Sequence, residues 1–196
     1  MVFKDLQGAG AQAFAPRVWL NGLEGECCME IRIAGTTSDS IVDGPGIRLT
    51  VFTQGCPHGC AGCHNPETHD PAGGRVVDTE KIIAGLRENP LESGLTLSGG
   101  EPFLQAAACH EIARAAHALG KNVWTYTGYV FEKLLAEGDP DRMALLSETD
   151  VLVDGPFILR ERSLELRFCG SRNQRLIDVR KSLTTGEAVC WEPPAW

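Results

Sequence analysis

The stretch that determines the architecture is residues 47–65, IRLTVFTQGCPHGCAGCHN. Apart from Arg48, its first seven residues are apolar or β-branched, which predicts a buried strand. Cys56, Cys60 and Cys63 then follow in the spacing C-x3-C-x2-C. In parallel α/β folds the chemically active residues lie at the carboxyl ends of strands. A cysteine cluster directly after a buried strand therefore predicts an α/β fold with a site at that strand end.

The rest of the chain alternates short strands with helices. Further strands are predicted at residues 94–97, 122–125 and 150–153, helices at 80–88, 104–119 and 130–136, and an edge strand at 29–34. Such alternation indicates βαβ units and a parallel sheet. About four or five units fit, too few for a closed eight-stranded barrel. We predict a partial, open TIM-like β/α barrel.

Composition excludes several classes of protein. The chain has 196 residues and a formal net charge of −8, which argues against non-specific binding to nucleic acid. No run approaches the ~18 apolar residues of a membrane span. Lys4, Asp5 and Arg17 interrupt the first residues, which argues against a signal peptide. We expect a cytoplasmic protein with no nucleic-acid or membrane partner.

The length favours one main domain. Residues 1–28 are Gly- and Ala-rich with little periodicity and are interpreted as an N-terminal extension of uncertain order. The α/β domain is predicted to cover residues 29–183, and a C-terminal tail residues 184–196.

Eight cysteines are present, and only three of them form a cluster. Cytosolic thiols stay reduced, so the even count does not imply disulfides. A structural zinc site normally uses two close pairs of ligands, and the second pair is missing here. Three thiolates can hold three corners of a [4Fe-4S] cluster and leave one iron open. That interpretation is preferred, with zinc and three unconnected thiols as alternatives.

Three further loops occupy the same position after their strands. They are Gly99-Gly100-Glu101-Pro102, Tyr126-Thr127-Gly128-Tyr129 and Asp154-Gly155-Pro156. Four unusual loops at one edge of a parallel sheet are expected to form one site. Alone, the GGEP segment is better explained as a flexible turn capped by proline before a helix, and its place beside the cysteine loop is what favours a functional role. The DGPG segment at residues 43–46 fits either a sharp turn or a functional loop, and Asp154 either orients the site or caps the next turn.

These motifs together resemble the radical S-adenosylmethionine (SAM) superfamily. More narrowly, the chain resembles the family that activates anaerobic ribonucleoside-triphosphate reductase. The matching segments are VDGPGIRLTVFTQGC, CAGCHNPETH, LTLSGGEP, VWTYTGY, DVLVDGPF and RFCGSRNQRLID. One departure is Gly62, which stands where many superfamily members carry a bulky residue.

The resemblance implies an oxidoreductase with a [4Fe-4S] cluster and SAM as cofactors. Cys56, Cys60 and Cys63 would bind the cluster. The predicted SAM contacts are Gly62, Cys63 and His64 on the adenine side, Gly99, Gly100, Glu101 and Pro102 at the ammonium group, and Thr127. No side chain is assigned as a general acid or base. The imidazole side chains of His64 and His69 are therefore interpreted as packing or surface groups and not as catalysts.

The same resemblance implies the reaction and the partners. Cleavage of SAM would give a 5′-deoxyadenosyl radical, which would generate a glycyl radical on the reductase. A reduced donor such as flavodoxin would supply the electron. The alternatives are an activase of the pyruvate formate-lyase type and a non-catalytic iron–sulfur electron carrier.

The acidic chain contains one basic segment. Residues 160–181 hold seven basic and three acidic residues, a local charge of +4. Such a segment is either a docking surface or a solvated strand or hairpin face. Of the other cysteines, Cys27, Cys28 and Cys109 are interpreted as small apolar or incidental thiols, while the roles of Cys169 and Cys190 stay open.

Overall fold

A computed structural model of the chain describes residues 29–193. The predicted extension 1–28, with Cys27 and Cys28, lies outside the described residues. The strands are β1 (Glu30–Ser40), β2 (Arg48–Thr53), β3 (Arg75–Asp78), β4 (Gly94–Gly99), β5 (Asn122–Tyr126), β6 (Val151–Asp154) and β7 (Arg175–Asp178). The helices are α1 (Thr79–Glu88), α2 (Ala106–Ala118), α3 (Phe131–Glu137), α4 (Pro140–Ser147) and α5 (Val179–Thr185).

The strands form one seven-stranded sheet in the order β3-β1-β2-β4-β5-β6-β7. The four central strands β2, β4, β5 and β6 are parallel neighbours in chain order. β1, β3 and β7 extend the sheet by antiparallel pairing. Successive parallel strands that advance in one direction are the arrangement of a β/α barrel. Since four such strands form an open sheet, the predicted partial β/α barrel is confirmed.

The two faces of the sheet differ in character. One face carries residues such as Leu49, Leu95 and Val123, which pack with the helices in the main apolar core. The opposite face carries a smaller cluster around Trp124. The Trp124 ring makes edge contacts with Phe168 and with Trp191, at centroid distances of 5.1 and 5.0 Å. Segments from the end of the chain therefore cover the face opposite the helices.

The helix predicted at residues 104–119 is shorter than expected. Residues Pro102–Gln105 form a 3-10 turn, and α2 then begins at Ala106. Leu104 and Leu119 are 46% and 37% exposed and do not belong to its buried face, which includes Cys109 and Ile112. Cys109 is completely buried, as expected for a small apolar thiol, and burial raises its pKa.

Several element predictions need correction. The predicted edge strand 29–34 is interior, because β1 lies between β3 and β2. The β3, β7, α4 and α5 elements were not predicted. α1 begins as predicted, with the Asp78 carboxylate accepting a hydrogen bond from the Glu80 amide. Across residues 29–193, no helix is long and apolar enough to cross a membrane.

Candidate functional site

The four loops that follow the parallel strands line one cavity of about 130 Å³. The loop after β2 contributes the three clustered cysteines, and the loop after β4 contributes Gly99 and Gly100. Thr127 and Gly128 come from the loop after β5, and Gly155 from the loop after β6. The convergence of the four loops therefore agrees with the expectation from their positions after parallel strands.

The cysteine loop presents three free thiols to this cavity. Cys56, Cys60 and Cys63 are all half-buried and in no disulfide. The Cys63 amide donates to the Cys60 carbonyl at 3.1 Å, which closes a tight turn between the two thiols. Gly62 has a φ of +73°, a left-handed conformation that favours glycine. The glycine before the last cysteine is thus required by the turn.

The donor set fits an iron–sulfur cluster. Within residues 29–193, no three His, Cys, Asp or Glu side chains group around a single-ion site. A cubane cluster makes a different demand, since each thiolate binds its own iron and the thiols only need to face a common space. The three thiols meet that demand because all of them line the same cavity. Burial raises the pKa of Cys56, with Glu101 and the other two thiols adding to the effect.

One histidine on the cavity wall has a ring nitrogen without a protein partner. The His69 ring lines the cavity, and its Nε2 atom is buried with no hydrogen-bond partner among the described residues. Buried polar nitrogens are normally hydrogen-bonded, so an unpaired one indicates a missing partner, an acceptor when Nε2 carries the proton and a donor when it does not. A bound group with a polar atom of the matching kind would satisfy it. The earlier interpretation of His69 as a packing or surface residue is incomplete.

Glu101 lies behind the cavity and is fully buried. Its carboxylate accepts hydrogen bonds from the Phe103 amide at 3.1 Å and the Gly128 amide at 2.9 Å. The Thr127 hydroxyl lies 2.9 and 3.0 Å from its two oxygens. His58 Nε2 completes the set at 2.7 Å from Oε2. Glu101 therefore joins three of the four loops.

The two glycines of the GGEP segment are required by close backbone packing. The Gly100 amide donates to the Thr53 carbonyl, and the Glu101 amide to the Gly55 carbonyl, both at 2.8 Å. A Cβ on Gly100 would lie 2.3 Å from the Gly55 carbonyl oxygen. Pro102 is buried at the start of the following 3-10 turn. The segment is thus more constrained than a flexible turn.

Of the remaining predicted contacts, His64 lines the cavity and Gly62 is not part of its lining. The ring centroid of His64 lies 4.9 Å from that of Phe157. Gly62 faces Leu159, whose Cδ1 atom would lie 3.0 Å from an added Cβ. Both partners belong to the loop after β6, which was expected at this site, although the sequence did not indicate these two contacts.

Asp154 has a definite structural role at the end of β6. It is fully buried, and its carboxylate accepts a hydrogen bond from the Phe131 amide at the start of α3. It also pairs with Arg175, whose Nε lies 3.0 Å from Oδ1, and Arg175 binds Glu132 as well. The hydrogen bond from Arg175 lowers the pKa of Glu132. Asp154 therefore organises the next helix and the seventh strand.

The DGPG segment is held by a buried arginine. Arg48 is fully buried and donates to the Pro45 carbonyl, the Leu95 carbonyl and the Thr96 hydroxyl at 3.0, 2.6 and 2.7 Å. Burial lowers its pKa to about 10. These bonds favour the interpretation of residues 43–46 as a structural turn.

A wider cavity of about 560 Å³ continues from the first. The two share wall residues that include His64, Tyr126, Phe157 and Gln174. Its other walls come from the β1–β2 connection and from residues 166–170. The site is therefore open on the side that faces away from the helices.

Sequence reasoning missed several residues of the site, chiefly His58, Phe157 and Gln174. The position of His58 between two cluster cysteines was the one available signal for it. The Gln174 side chain accepts a hydrogen bond from the Gly170 amide at 2.8 Å and donates one to the Gly155 carbonyl at 3.0 Å. Its role depends on two segments that only the fold brings together.

Comparisons with known proteins agree with this site. Residues 42–177 match the model of a family described as a 4Fe-4S single cluster domain. The anaerobic ribonucleoside-triphosphate reductase-activating protein of Vibrio cholerae is 40% identical over 68% of this chain and 89% of its own length. The proteins of the same name from Escherichia coli K12 and Enterobacteria phage T4 are 34% and 35% identical, over 71% and 69% of this chain and 94% and 86% of their own lengths.

Among solved structures, QueE from Escherichia coli matches with a TM-score of 0.42 and 17% identity, over 50% of this chain and 52% of that chain. The family match covers the cysteine loop and all four parallel strands, and the relatives are matched over most of their length. The chain belongs to the 4Fe-4S single cluster domain family and, within it, to the anaerobic ribonucleoside-triphosphate reductase-activating proteins.

Proposed function

We propose that this chain uses a [4Fe-4S] cluster and SAM to generate a glycyl radical on an anaerobic ribonucleoside-triphosphate reductase. The observation that carries the proposal is the shared cavity. Three free thiols, the GGEP glycines and Thr127 line it together. An electron carrier would need the thiols but would have no use for the other two loops.

The cofactors supply the difficult chemistry, and the protein supplies binding and orientation. When bound, the reduced cluster and SAM together provide a carbon-centred radical that can remove a hydrogen atom from a glycine Cα. No side chain is assigned as a general acid or base, because transfer of a hydrogen atom needs none. The roles of this chain's residues are therefore to hold, orient and shield.

The proposed cluster ligands are Cys56, Cys60 and Cys63, which would leave the fourth iron open for SAM. The Asn65 amide donates to Cys63 Sγ at 3.4 Å. A hydrogen bond to a ligating sulfur tunes the electron affinity of a cluster.

The proposed SAM site lies beside these thiols. The carbonyl groups of Gly99 and Gly100 would accept hydrogen bonds from the ammonium group, while Thr127 would face the ribose or the methionine. Gly62, Cys63 and His64 would meet the adenine. In this proposal Glu101 and Pro102 support the site from behind, since Glu101 is fully buried and already hydrogen-bonded to protein groups.

The glycine-bearing segment of the reductase would enter through the wider cavity. Phe52, Phe157 and Phe168 contribute apolar surface to this cavity, polar side chains such as Ser40, Asp43 and Asn65 line the rest, and it adjoins the thiol cavity. A bound segment that fills this open cavity would exclude water and so protect a reactive radical from side reactions. A glycine, which has no side chain, can approach the cofactor closely.

We also propose a cytoplasmic location and a reduced one-electron donor such as flavodoxin. Three accessible thiols persist in the reduced state in the cytoplasm, where a cluster can be assembled. In this proposal the cysteine triad holds the cluster, and a separate one-electron donor would reduce it.

Reductive cleavage of SAM tests the proposal. The chain, reconstituted anaerobically with iron and sulfide and then reduced, is expected to convert SAM to methionine and 5′-deoxyadenosine. Cys60→Ala is expected to lose the brown cluster and the cleavage, while Cys190→Ala, at an exposed cysteine outside both cavities, retains both and serves as the matched control. SAM left uncleaved by the wild-type chain, or cleaved normally by Cys60→Ala, would contradict the proposal.

A further inference from the structure

Residues 157–172, here called the arginine loop, connect β6 to the start of β7 and form one wall of the open site. Phe157 contacts His64 beside the thiol cavity, and Leu166, Phe168 and Gly170 line the wider cavity. The inner side of this loop thus faces the position proposed for the glycine segment. Its outer side faces solvent.

The base of the arginine loop is fixed by side-chain hydrogen bonds. Asn173 donates to the Pro156 carbonyl at 2.8 Å, and Gln174 donates to the Gly155 carbonyl at 3.0 Å. Ser171 accepts from the Ile158 amide at 3.1 Å, and the Arg172 amide donates to the Glu161 carbonyl at 3.0 Å. A loop whose ends are tied in this way holds its tip in a defined place, and such compact loops are frequently functional.

The tip displays positive charge together with one apolar side chain. The Arg160 and Arg172 side chains are 84% and 63% exposed, and Arg162 and Arg167 are exposed as well. Arg160 and Arg172 each have a carboxylate of the same loop at salt-bridge distance, Glu161 at 3.8 Å and Glu165 at 3.7 Å. No carboxylate of the described residues pairs in this way with Arg162 or Arg167, so these two carry the unpaired positive charge. Leu164 stands among them with 89% of its surface exposed. Arginine is enriched at protein interfaces, and a partner that binds these arginines would also bury the exposed leucine.

Arg175 is different from these four. It is tied to Asp154 and Glu132, so its charge is already neutralised within the fold. The seven basic residues of segment 160–181 are therefore divided into four exposed arginines on the loop, Arg175, which stabilises the end of β6, and Arg180 and Lys181 on α5.

We propose that the arginine loop is the docking surface for an acidic face of the reductase, next to the opening through which its glycine segment enters. This inference rests on the proposed function, which names the reductase as partner. The loop adjoins the opening, and its exposed arginines are positive whereas the chain as a whole has a net charge of −8. Electrostatic complementarity of this kind speeds association and fixes orientation.

Charge reversal tests this proposal. The variant Arg160→Glu/Arg162→Glu/Arg167→Glu is compared with Lys81→Glu/Arg87→Glu/Arg114→Glu, which makes the same change in net charge at exposed positions on α1 and α2. With the reconstituted full-length chain and the reductase from the same genome, the loop variant is expected to raise the Kd at least about tenfold. The Kd of the loop variant is expected to depend less on salt concentration than the Kd of the wild type. Leu164→Ala is expected to weaken binding without changing that salt dependence.

Two readouts separate this proposal from the proposed function. SAM cleavage by the reduced chain without the reductase is expected to be equal in the wild type and both triple variants. If the wild type binds the reductase and generates the radical but the loop variant binds equally well, the docking surface is wrong and the function stands. Equal weakening by the control variant also overturns the docking surface. If the wild type neither binds nor activates the reductase, the proposed function itself fails.

Discussion

Nε2 of His58 lies 2.7 Å from Oε2 of Glu101, and this contact ties the cysteine loop to the GGEP segment. The same carboxylate accepts hydrogen bonds from the Thr127 hydroxyl and the Gly128 amide of the loop after β5. Gly128 also packs against the His58 ring, where an added Cβ would lie 2.3 Å from Cδ2. Three loops of the site are thus held in register by one buried acid.

The first prediction concerns this contact. His58→Ala removes one hydrogen bond to a fully buried carboxylate, whose Oε2 atom keeps those from Thr127 and Gly128, so the free energy of unfolding should fall by about 0.5–1.5 kcal/mol. Urea unfolding of the apoprotein measures the change. In a double-mutant cycle with Glu101→Gln, the combined loss should be smaller than the sum of the two single losses. Strictly additive losses would show that the two side chains do not interact.

A second prediction concerns His69, whose buried Nε2 has no partner among the described residues. If a bound cofactor supplies the acceptor, His69→Phe should weaken SAM binding by about 1–2 kcal/mol. The apoprotein should not lose stability, because no protein hydrogen bond is removed. A spectroscopic titration of the reduced cluster with SAM measures the affinity. Unchanged SAM affinity with a less stable apoprotein would show that His69 is only a packing residue.

Much of this site could be predicted from local sequence, because loops after parallel strands must lie at one edge of the sheet. The placement of the Cys56 and Gly99 loops follows from that rule. The contacts of Glu101 with His58 could not be predicted, because they depend on side-chain directions across loops 43 residues apart. β7 was missed for a similar reason. Its residues are held by Asp154 and by pairing with β6, which no local periodicity reveals.

The third prediction tests the backbone packing at the GGEP segment. Gly100→Ala would place a Cβ 2.3 Å from the Gly55 carbonyl oxygen, so the backbone must shift and the stability should fall by about 1–3 kcal/mol. Gly85→Ala is the matched control, because its Cβ on α1 meets nothing within 4 Å. That helix substitution should stabilise the chain by about 0.5–1 kcal/mol. Equal effects of the two substitutions in a urea melt would contradict the packing argument.

The fourth prediction concerns pH and a histidine remote from the cysteines. His117 Nδ1 lies 2.6 Å from Glu148, and its Nε2 lies 2.9 Å from Asp150. Burial lowers the pKa of His117, but hydrogen bonds and charge interactions with Asp150 and Glu148 outweigh it, so the pKa is raised above 6.5. The folded state therefore binds the proton more tightly than the unfolded state.

The resulting stability is fully present below the unfolded pKa and is lost as the pH rises through the raised folded pKa. The free energy of unfolding should thus fall as the pH rises above about 6.5, and His117→Asn should show a shallower decline. Urea unfolding at a series of pH values measures both proteins. Parallel declines in wild type and variant would assign the pH dependence to other groups.

The central claim is that this chain places a radical on a glycine of the reductase. The most direct measurement is electron paramagnetic resonance of the reductase after anaerobic incubation with the reduced, reconstituted chain and SAM. We predict the doublet of a glycyl radical, which loses its main splitting when the α-hydrogens of glycine are replaced by deuterium. The signal should be absent without SAM and absent with Cys60→Ala. Cleavage of SAM with no glycyl radical on the reductase would contradict the account.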